Sequence, residues 1–187
     1  GAFTIDAPLA CRSLQFGNYI STLTHNAGIK ITVGDATAGA GNKAIEFSSA
    51  MSYVLGHPAT SAIDFVSTSA TQQTFEWGGK TTGTVTYKGA GSSIKYLSKH
   101  TATPWYATIE IQGGAFDTNN QPIDTGVFTQ TAGSSKTITL GSSIINVYPP
   151  VSESFNFVNT SGFAFSFNTA IVNVYRNLTN PTGATFI

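Results

Sequence analysis

The side chains that could carry out chemistry in this sequence are few and widely spaced. The three histidines are His25, His57 and His100, and each lies in a predicted loop. Zinc sites are built from closely spaced His, Cys or acidic ligands, or from several loops that meet in space. The spacing here contains no local metal motif. We interpret the three as surface histidines, and a zinc site assembled from distant loops remains the alternative.

An oxygen-rich loop is the other candidate for a metal site. Residues 117–124 read DTNNQPID and place oxygen-bearing side chains at closely spaced positions. Calcium needs six to eight oxygen ligands, and a helix-loop-helix site also needs a central glycine and a terminal glutamate. This loop has neither, so we predict an Asn-rich turn, with a calcium loop as the alternative. The sequence accordingly predicts no metal and no cofactor.

Catalytic signatures are weak. A nucleophile elbow of the form G-x-S-x-G does not occur, although serine is common;. A glycosidase needs a pair of carboxylates, and the spacing of the nine Asp and Glu residues singles out no pair;. We therefore predict that this protein is not an enzyme.

The composition excludes several classes of partner. Only 10% of the residues are charged and the formal net charge is zero, so the chain has no excess of positive charge with which to neutralise phosphate;. We therefore predict that the protein does not bind nucleic acid. No apolar run approaches the length of a membrane helix, so we also predict no membrane insertion;. Cys11 is the only cysteine and has no partner for an internal disulfide;. The abundance of Ser, Thr, Gly and Asn is typical of an extracellular β protein.

The elements that would position a site are short strands. Apolar residues alternate with polar ones over many stretches, separated by Gly, Pro and Asn at intervals of about 8–12 residues;. The clearest stretch is 153–183, where Phe155, Phe157, Phe163, Phe165 and Phe167 all occupy odd positions. Because side chains two apart share one face of a strand, we predict a β-hairpin with a wall of Phe rings packed in the core. A shift of the apolar positions at 168–169 predicts a β-bulge.

No helical periodicity and no internal repeat are visible, so the predicted fold is all-β, a single β-sandwich or barrel. The alternation of Phe3, Ile5, Ala7 and Leu9 predicts a first strand, with Pro8 placing it at a sheet edge;. We expect this strand to pair within its own chain. Donation to the sheet edge of a neighbouring molecule is the alternative.

Several short stretches occur in the same order as in one known family. They are His57-Pro58-Ala59-Thr60, Asp64-Phe65-Val66-Ser67, Gly83-Thr84-Val85-Thr86-Tyr87, Pro104-Trp105, Ile138 with Gly141-Ser142-Ser143-Ile144, and Val172-Asn173-Val174-Tyr175-Arg176-Asn177. Over residues 57–183 the chain resembles the N-terminal lectin domain of chaperone–usher tip adhesins of type 1 fimbriae.

This resemblance implies a single elongated β-sandwich of the jelly-roll-like, immunoglobulin-type lectin class. Residues 1–180 would form the lectin domain and residues 181–187 the start of a linker, with Pro181-Thr182-Gly183 resembling its first part. The C-terminal pilin domain, which would contact the chaperone and the other pilin subunits, is expected to be absent from this chain. The implied location is extracellular, at a fimbrial tip reached through the periplasm, and the isolated domain would be a monomer.

The implied ligand is a host cell-surface glycan held in loops at one end of the domain. Asp64 matches a ligand carboxylate of the family and His57 matches its aromatic side wall, while Tyr148, Asn156 and Asn159 flank the loop that completes the family's pocket. A carboxylate that accepts two sugar hydroxyls makes charge-assisted hydrogen bonds. Gly56 replaces a second family carboxylate, and the family's disulfide is missing, so mannose specificity does not carry over.

The predicted function is therefore glycan binding by a non-enzymatic fimbrial tip adhesin. The alternative is a structural pilus subunit that assembles by donor-strand exchange and donates the segment from Phe3 to Leu9.

Overall fold

The computed structural model describes residues 1–131, 136–148, 155–157 and 163–175. Within them the chain forms 22 short strands and a single turn of 3₁₀ helix at Ala40–Asn42. Sheet 1 contains β1 (Phe3–Ile5), β4 (Thr22–His25) and β7 (Ser52–Leu55). Sheet 2 contains β10 (Thr81–Thr82), β13 (His100–Ala102), β16 (Ile123–Thr125), β19 (Ile144–Val147) and β22 (Ile171–Val174).

The other two sheets have seven strands each. Sheet 3 contains β2 (Leu9–Cys11), β5 (Lys30–Val33), β8 (Ala62–Phe65), β11 (Thr84–Tyr87), β14 (Thr108–Ile111), β17 (Val127–Gln130) and β20 (Phe155–Phe157). Sheet 4 contains β3 (Leu14–Phe16), β6 (Lys43–Phe47), β9 (Gln72–Glu76), β12 (Ser93–Tyr96), β15 (Gly114–Asp117), β18 (Lys136–Thr139) and β21 (Phe163–Ser166).

The strand pairing defines a parallel β-helix. Consecutive strands belong to different sheets, and each paired strand lies beside the strand three places before or after it in the chain. Every strand pair in the described residues is parallel. Three strands thus make one coil, and successive coils stack along one axis, as in solenoid proteins.

The core lies inside the coils and is built from side chains in register. In sheet 3 one inward row contains Ile31, Ile63, Val85, Ile109 and Phe128, all buried. Because side chains alternate along each strand, the residues between them point outward. One outward residue of each coil therefore lies beside an outward residue of the next coil, as Thr32 does beside Asp64 and Asp64 beside Thr86.

A four-residue turn recurs before the strands of sheet 2. Four of its copies close with a backbone N–H to C=O bond, from Lys80 to Trp77, Gln121 to Thr118, Ser143 to Leu140, and Ala170 to Phe167. The second residue of each turn has a positive φ and is Gly78, Asn119, Gly141 or Asn168. Gly and Asn are the residues that tolerate this conformation best, so these turns follow directly from the sequence.

One buried polar chain crosses the middle coils. The Thr82 hydroxyl donates to the Gly83 carbonyl at 3.1 Å and accepts from His100 Nε2 at 2.9 Å. His100 Nδ1 then accepts from the Tyr96 hydroxyl at 2.7 Å, which accepts from Tyr87 at 2.5 Å. Every member is fully or almost fully buried, and the bonds assign a neutral imidazole with its proton on Nε2;.

The all-β prediction is confirmed, whereas the β-sandwich of jelly-roll or immunoglobulin type is not confirmed, since those folds pair their strands antiparallel;. The hairpin prediction is wrong: β20 pairs with β17 and β21 with β18, so the two Phe strands occupy different sheets. Period-two alternation is the same in both architectures and does not reveal the pairing partner. Four of the Phe rings do pack against the core, but Phe167 is exposed.

Smaller predictions have mixed outcomes. The predicted first strand is two strands, β1 and β2, separated by residues 6–8. Both lie at a sheet edge and pair in parallel with β4 and β5, which confirms the edge position and the pairing within the chain. The predicted bulge at 168–169 is the coil-corner turn that ends at Ala170. The coils themselves are the internal repeat that unequal spacing concealed. The predicted linker at 181–187 lies outside the described residues.

Candidate functional site

Asp64 lies on the outward side of sheet 3 and is held by two lysines. Lys88 Nζ donates to Asp64 Oδ2 at 2.7 Å, and Lys30 Nζ lies 3.2 Å from the same oxygen. The lysines come from the strand β5 and from the residue that follows β11, on either side of β8. Only 9% of the Asp64 side chain is exposed. In this arrangement the carboxylate is already paired with two cations.

The remaining predicted residues are dispersed. His57 is an exposed residue of the turn between β7 and β8, where its Nδ1 accepts from the Ala59 N–H at 3.3 Å. Asn156 lies in β20 opposite Thr129 of β17, and Asn159 lies outside the described residues. Tyr148 directly follows β19 in sheet 2. The structure therefore does not bring Asp64 or His57 into contact with Tyr148.

Tyr148 belongs to a cluster on the outward side of sheet 2 whose residues come from four successive coils. We call this cluster the aromatic–amide face, and it consists of Trp105, Asp124, Asn146, Tyr148, Asn173 and Tyr175.

The strand register aligns the polar half of this face. Asp124 is opposite Asn146, and Asn146 is opposite Asn173, in three adjacent parallel strands. Their strand neighbours Ile123, Ile145 and Val147 are fully buried, so the alternation directs the polar side chains outward;. One polar residue per coil thus forms a row along the axis of the β-helix.

Hydrogen bonds connect the row in one direction. Asn173 Nδ2 donates to Asn146 Oδ1 at 2.9 Å, and Asn146 Nδ2 donates to Asp124 Oδ1 at 2.7 Å. The other Asp124 oxygen forms an ion pair with Lys99 Nζ. The row therefore combines amide donors, amide acceptors and one neutralised carboxylate.

An aromatic row runs beside the polar row. The rings of Tyr148 and Tyr175 stack with centroids 4.8 Å apart and planes at 10°, and the Trp105 ring lies 6.0 Å from Tyr148 at a tilt of 57°. Tyr148 and Tyr175 are each two residues beyond an Asn of the polar row, so they point to the same side of the sheet;. Trp105 and Tyr175 remain 37% and 47% exposed.

Trp105 comes from a turn between β13 and β14 in an unusual backbone conformation. Its φ is +71°, in the left-handed region that bulky residues rarely occupy;. The Trp105 N–H donates to the Tyr148 carbonyl at 3.2 Å, which fixes the turn against a later coil. A Cβ atom on Gly126 would lie 3.2 Å from Trp105 N and 2.9 Å from the Ala107 carbonyl, so the missing side chain leaves room for this turn.

The charges around Tyr148 affect its ionisation. Its pKa is raised, first by partial burial and then by the Asp124 carboxylate and by Tyr175, while Lys99 opposes the shift. The phenol thus stays protonated at neutral pH and keeps an O–H group that donates a hydrogen bond. Its hydroxyl, the Asp124 carboxylate and the amides of the polar row all lie on one outward surface.

The other candidate sites have structural roles. His25 is buried, with its ring nitrogens 2.8 Å from the Tyr53 hydroxyl and 2.9 Å from the Ile29 carbonyl, and His100 is part of the buried chain described above. The prediction of surface histidines is thus wrong for these two. The oxygen-rich loop forms the turn between β15 and β16, where Asp117 Oδ1 accepts from the Asn119 N–H at 2.7 Å.

Among the described residues, no group of three or more His, Cys, Asp or Glu side chains could hold a metal ion. The same part of the chain contains no helix with the length and apolar character to span a membrane.

Comparisons with protein-family models, with curated proteins and with solved structures found no match to this chain.

Sequence reasoning identified Tyr148 but missed the other five residues of the aromatic–amide face. A signal was present in two related pentapeptides, 144–148 (IINVY) and 171–175 (IVNVY). They share Ile, Asn, Val and Tyr at the same positions, and they form β19 and β22 with the residues that follow them. Aligning them would have indicated both the stacking of coils and the repeated Asn and Tyr on one side.

Proposed function

We propose that this protein is a non-enzymatic glycan-binding domain and that the aromatic–amide face is its binding surface. The observation that carries the proposal is the row Asp124–Asn146–Asn173 beside three aromatic rings, of which Trp105 and Tyr175 are exposed and Tyr148 is half-buried. Sugars offer hydroxyl groups to planar polar side chains and apolar C–H faces to aromatic rings. This surface presents both kinds of partner within one contiguous area.

Two further observations support a binding role for this surface. Trp105 combines solvent exposure with a positive φ, and strained residues of this kind persist where the surrounding structure holds them and concentrate at functional sites;. The chain carries no net charge, and the only carboxylate of the face is paired with Lys99, which suits an uncharged polar ligand.

The fimbrial part of the function is a narrower proposal that rests on the sequence resemblance. An extracellular adhesin would expose the aromatic–amide face to surface glycans of another cell. The alternative of a donor-strand pilus subunit has less support, since the segment it would donate forms β1 and β2, which are paired within the chain.

A glycan array with purified wild-type protein tests the proposal, and the bound glycans are then titrated by calorimetry. Trp105→Ala and Tyr148→Ala should each weaken binding at least about tenfold, which corresponds to about 1.4 kcal/mol and is typical of a central contact residue. Tyr106→Ala is the matched control, because Tyr106 is a 63% exposed neighbour of Trp105 outside the face.

Asp64→Ala separates this surface from the site expected by resemblance. We expect it to leave glycan affinity unchanged and to reduce stability, since two lysines lose their shared partner. Loss of binding in Asp64→Ala together with full binding in Tyr148→Ala would transfer the site to sheet 3. Absence of binding to any glycan on the array would reject the proposed function.

A further inference from the structure

The aromatic–amide face is bordered on its far side by a second apolar row. Ile144 and Ile171 are opposite each other in β19 and β22 and are 44% and 54% exposed. Each lies two residues before the Asn of its strand, just as Tyr148 and Tyr175 lie two residues after it. The polar row is therefore flanked by isoleucines on one side and by aromatic rings on the other.

The three rows run parallel to the axis of the β-helix. Perpendicular to the axis, the pattern is only one strand wide. Adjacent coils are separated by the spacing of paired strands, about 4.8 Å. Each coil that crosses the face contributes one polar side chain at the same position in the strand. A ligand that lies along the axis would contact one polar side chain in each coil. A ligand that lies across the axis would contact only one polar side chain in total.

Among the described residues, the amides of Asn146 and Asn173 each use only part of their hydrogen-bonding capacity. A carboxamide has two N–H donors and two acceptor lone pairs. The bond between Asn173 and Asn146 uses one N–H of Asn173, and the bond between Asn146 and Asp124 uses one N–H of Asn146. The second N–H of each amide can serve a ligand hydroxyl without breaking the row.

We propose that the ligand is an uncharged, extended β-1,4-linked polysaccharide that lies along the axis of the β-helix, with its hydroxyl edges on the polar row. This inference rests on the proposed function and specifies its ligand. Each sugar unit of such a chain has a length close to the distance between adjacent coils, about 4.8 Å. Its units carry hydroxyl edges and apolar ring faces, which match a polar row between two apolar rows.

The charge pattern excludes a polyanionic chain as the favoured ligand. Lys99 is the cation next to the polar row, and it is already paired with Asp124. A uronic acid chain would place carboxylates near Asp124 and would have to compete for Lys99, at a cost in electrostatic energy. A neutral chain needs no such exchange.

The test is calorimetric titration of the whole chain with glucose and with its β-1,4-linked dimer, trimer, tetramer and hexamer, alongside a galacturonic acid oligomer. Affinity should rise at least about tenfold from glucose to the trimer or tetramer and change little beyond, because the polar row spans three coils;. The anionic oligomer should bind more weakly than the neutral tetramer.

Variants separate the axial ligand from a single-sugar site. Ile171→Ser and Asn173→Ala alter the last coil of the face, and each should weaken the tetramer more than the dimer. Ile20→Ser is the matched control, because Ile20 is 79% exposed and lies outside the face. Ile144→Ser gives a second measurement if Ile171→Ser folds poorly.

Each outcome is decisive. If affinity does not depend on the length of the oligomer but is still weakened by Tyr148→Ala, the face binds a glycan and the axial orientation of the chain is overturned. Stronger binding of the anionic oligomer would overturn the neutral ligand. Binding of glycans that lack β-1,4 links, without binding of the glucose series, would also overturn this inference while the proposed function stands. No binding to any glycan would reject the proposed function itself.

Discussion

Acidification should destabilise this protein through His100, although the residue is far from the surface. The imidazole is fully buried, stacks on Trp77 with ring centroids 4.0 Å apart, and uses both nitrogens for hydrogen bonds. Burial lowers the pKa of His100 from 6.5 to about 3. Near pH 6, His100 therefore binds a proton in the unfolded chain but stays unprotonated in the folded chain.

The size of the effect follows from this difference in pKa. Because the folded pKa is depressed, the neutral imidazole contributes its full stability above pH 6.5 and loses it as the pH falls toward 3;. Well below 6.5 the free energy of unfolding drops by about 1.4 kcal/mol per pH unit. Between about pH 7 and about pH 5, where the folded chain stays unprotonated at this site, the loss is about 2 kcal/mol. Burial also lowers the pKa of His25, which adds to the loss in the same direction.

Urea unfolding at a series of pH values, followed by the fluorescence of buried Trp77, measures this loss. His100→Gln keeps a donor and an acceptor for Thr82 and Tyr96 but has no titrating group. It should lower stability at neutral pH and remove about 2 kcal/mol of the decrease between about pH 7 and about pH 5.

The control is His57→Gln, which changes an exposed histidine and should retain the wild-type pH dependence. The reasoning is refuted if His100→Gln and wild type lose equal stability over this range. Equal losses would mean that folded His100 accepts a proton without cost.

The remaining predictions concern the turn that carries Trp105. Trp105→Gly and Trp105→Ala should both abolish the aromatic contribution to binding, but the Gly variant should be about 1 kcal/mol more stable in thermal or urea unfolding, since Gly adopts a φ of +71° without strain;. Equal stability of the two variants would show that this backbone is not strained. Gly126→Ala places a methyl group 2.9 Å from the Ala107 carbonyl and should cost about 1–3 kcal/mol and displace Trp105, thereby weakening glycan binding;. Wild-type affinity in Gly126→Ala would argue that Trp105 keeps its position by other contacts.

Local structure was predictable where a short pattern decides it. The alternation of Ile29, Ile31 and Val33 is typical of a strand, and Ile31 and Val33 are buried in β5;. The Asn-rich turn predicted in the oxygen-rich loop is present, and Asn119 and Asn120 both have the positive φ that Asn tolerates;. These features depend on a few adjacent residues, and the physical rules for them are local.

Strand pairing was not predictable in the same way. Phe157 and Phe163 are six positions apart and look like the two arms of a hairpin, yet their strands pair with β17 and β18, more than twenty residues earlier. The coils differ in length because loops of different size leave their corners, so the repeat has no constant period. Without that period, alternation alone is compatible with both antiparallel and parallel sheets.

The candidate site depends on the repeat in the same way. Asp124, Asn146 and Asn173 look unremarkable along the chain, and only their alignment in three paired strands makes them one hydrogen-bonded row. Trp105 joins the row of tyrosines because a turn after β13 reaches over the coil that contains Gly126. In a β-helix, each coil contributes one residue at a given position of the surface. The residues of a site are therefore separated in sequence by the length of a whole coil. The two related pentapeptides that end in Tyr148 and Tyr175 therefore indicate a candidate surface that no single short stretch of the sequence contains;.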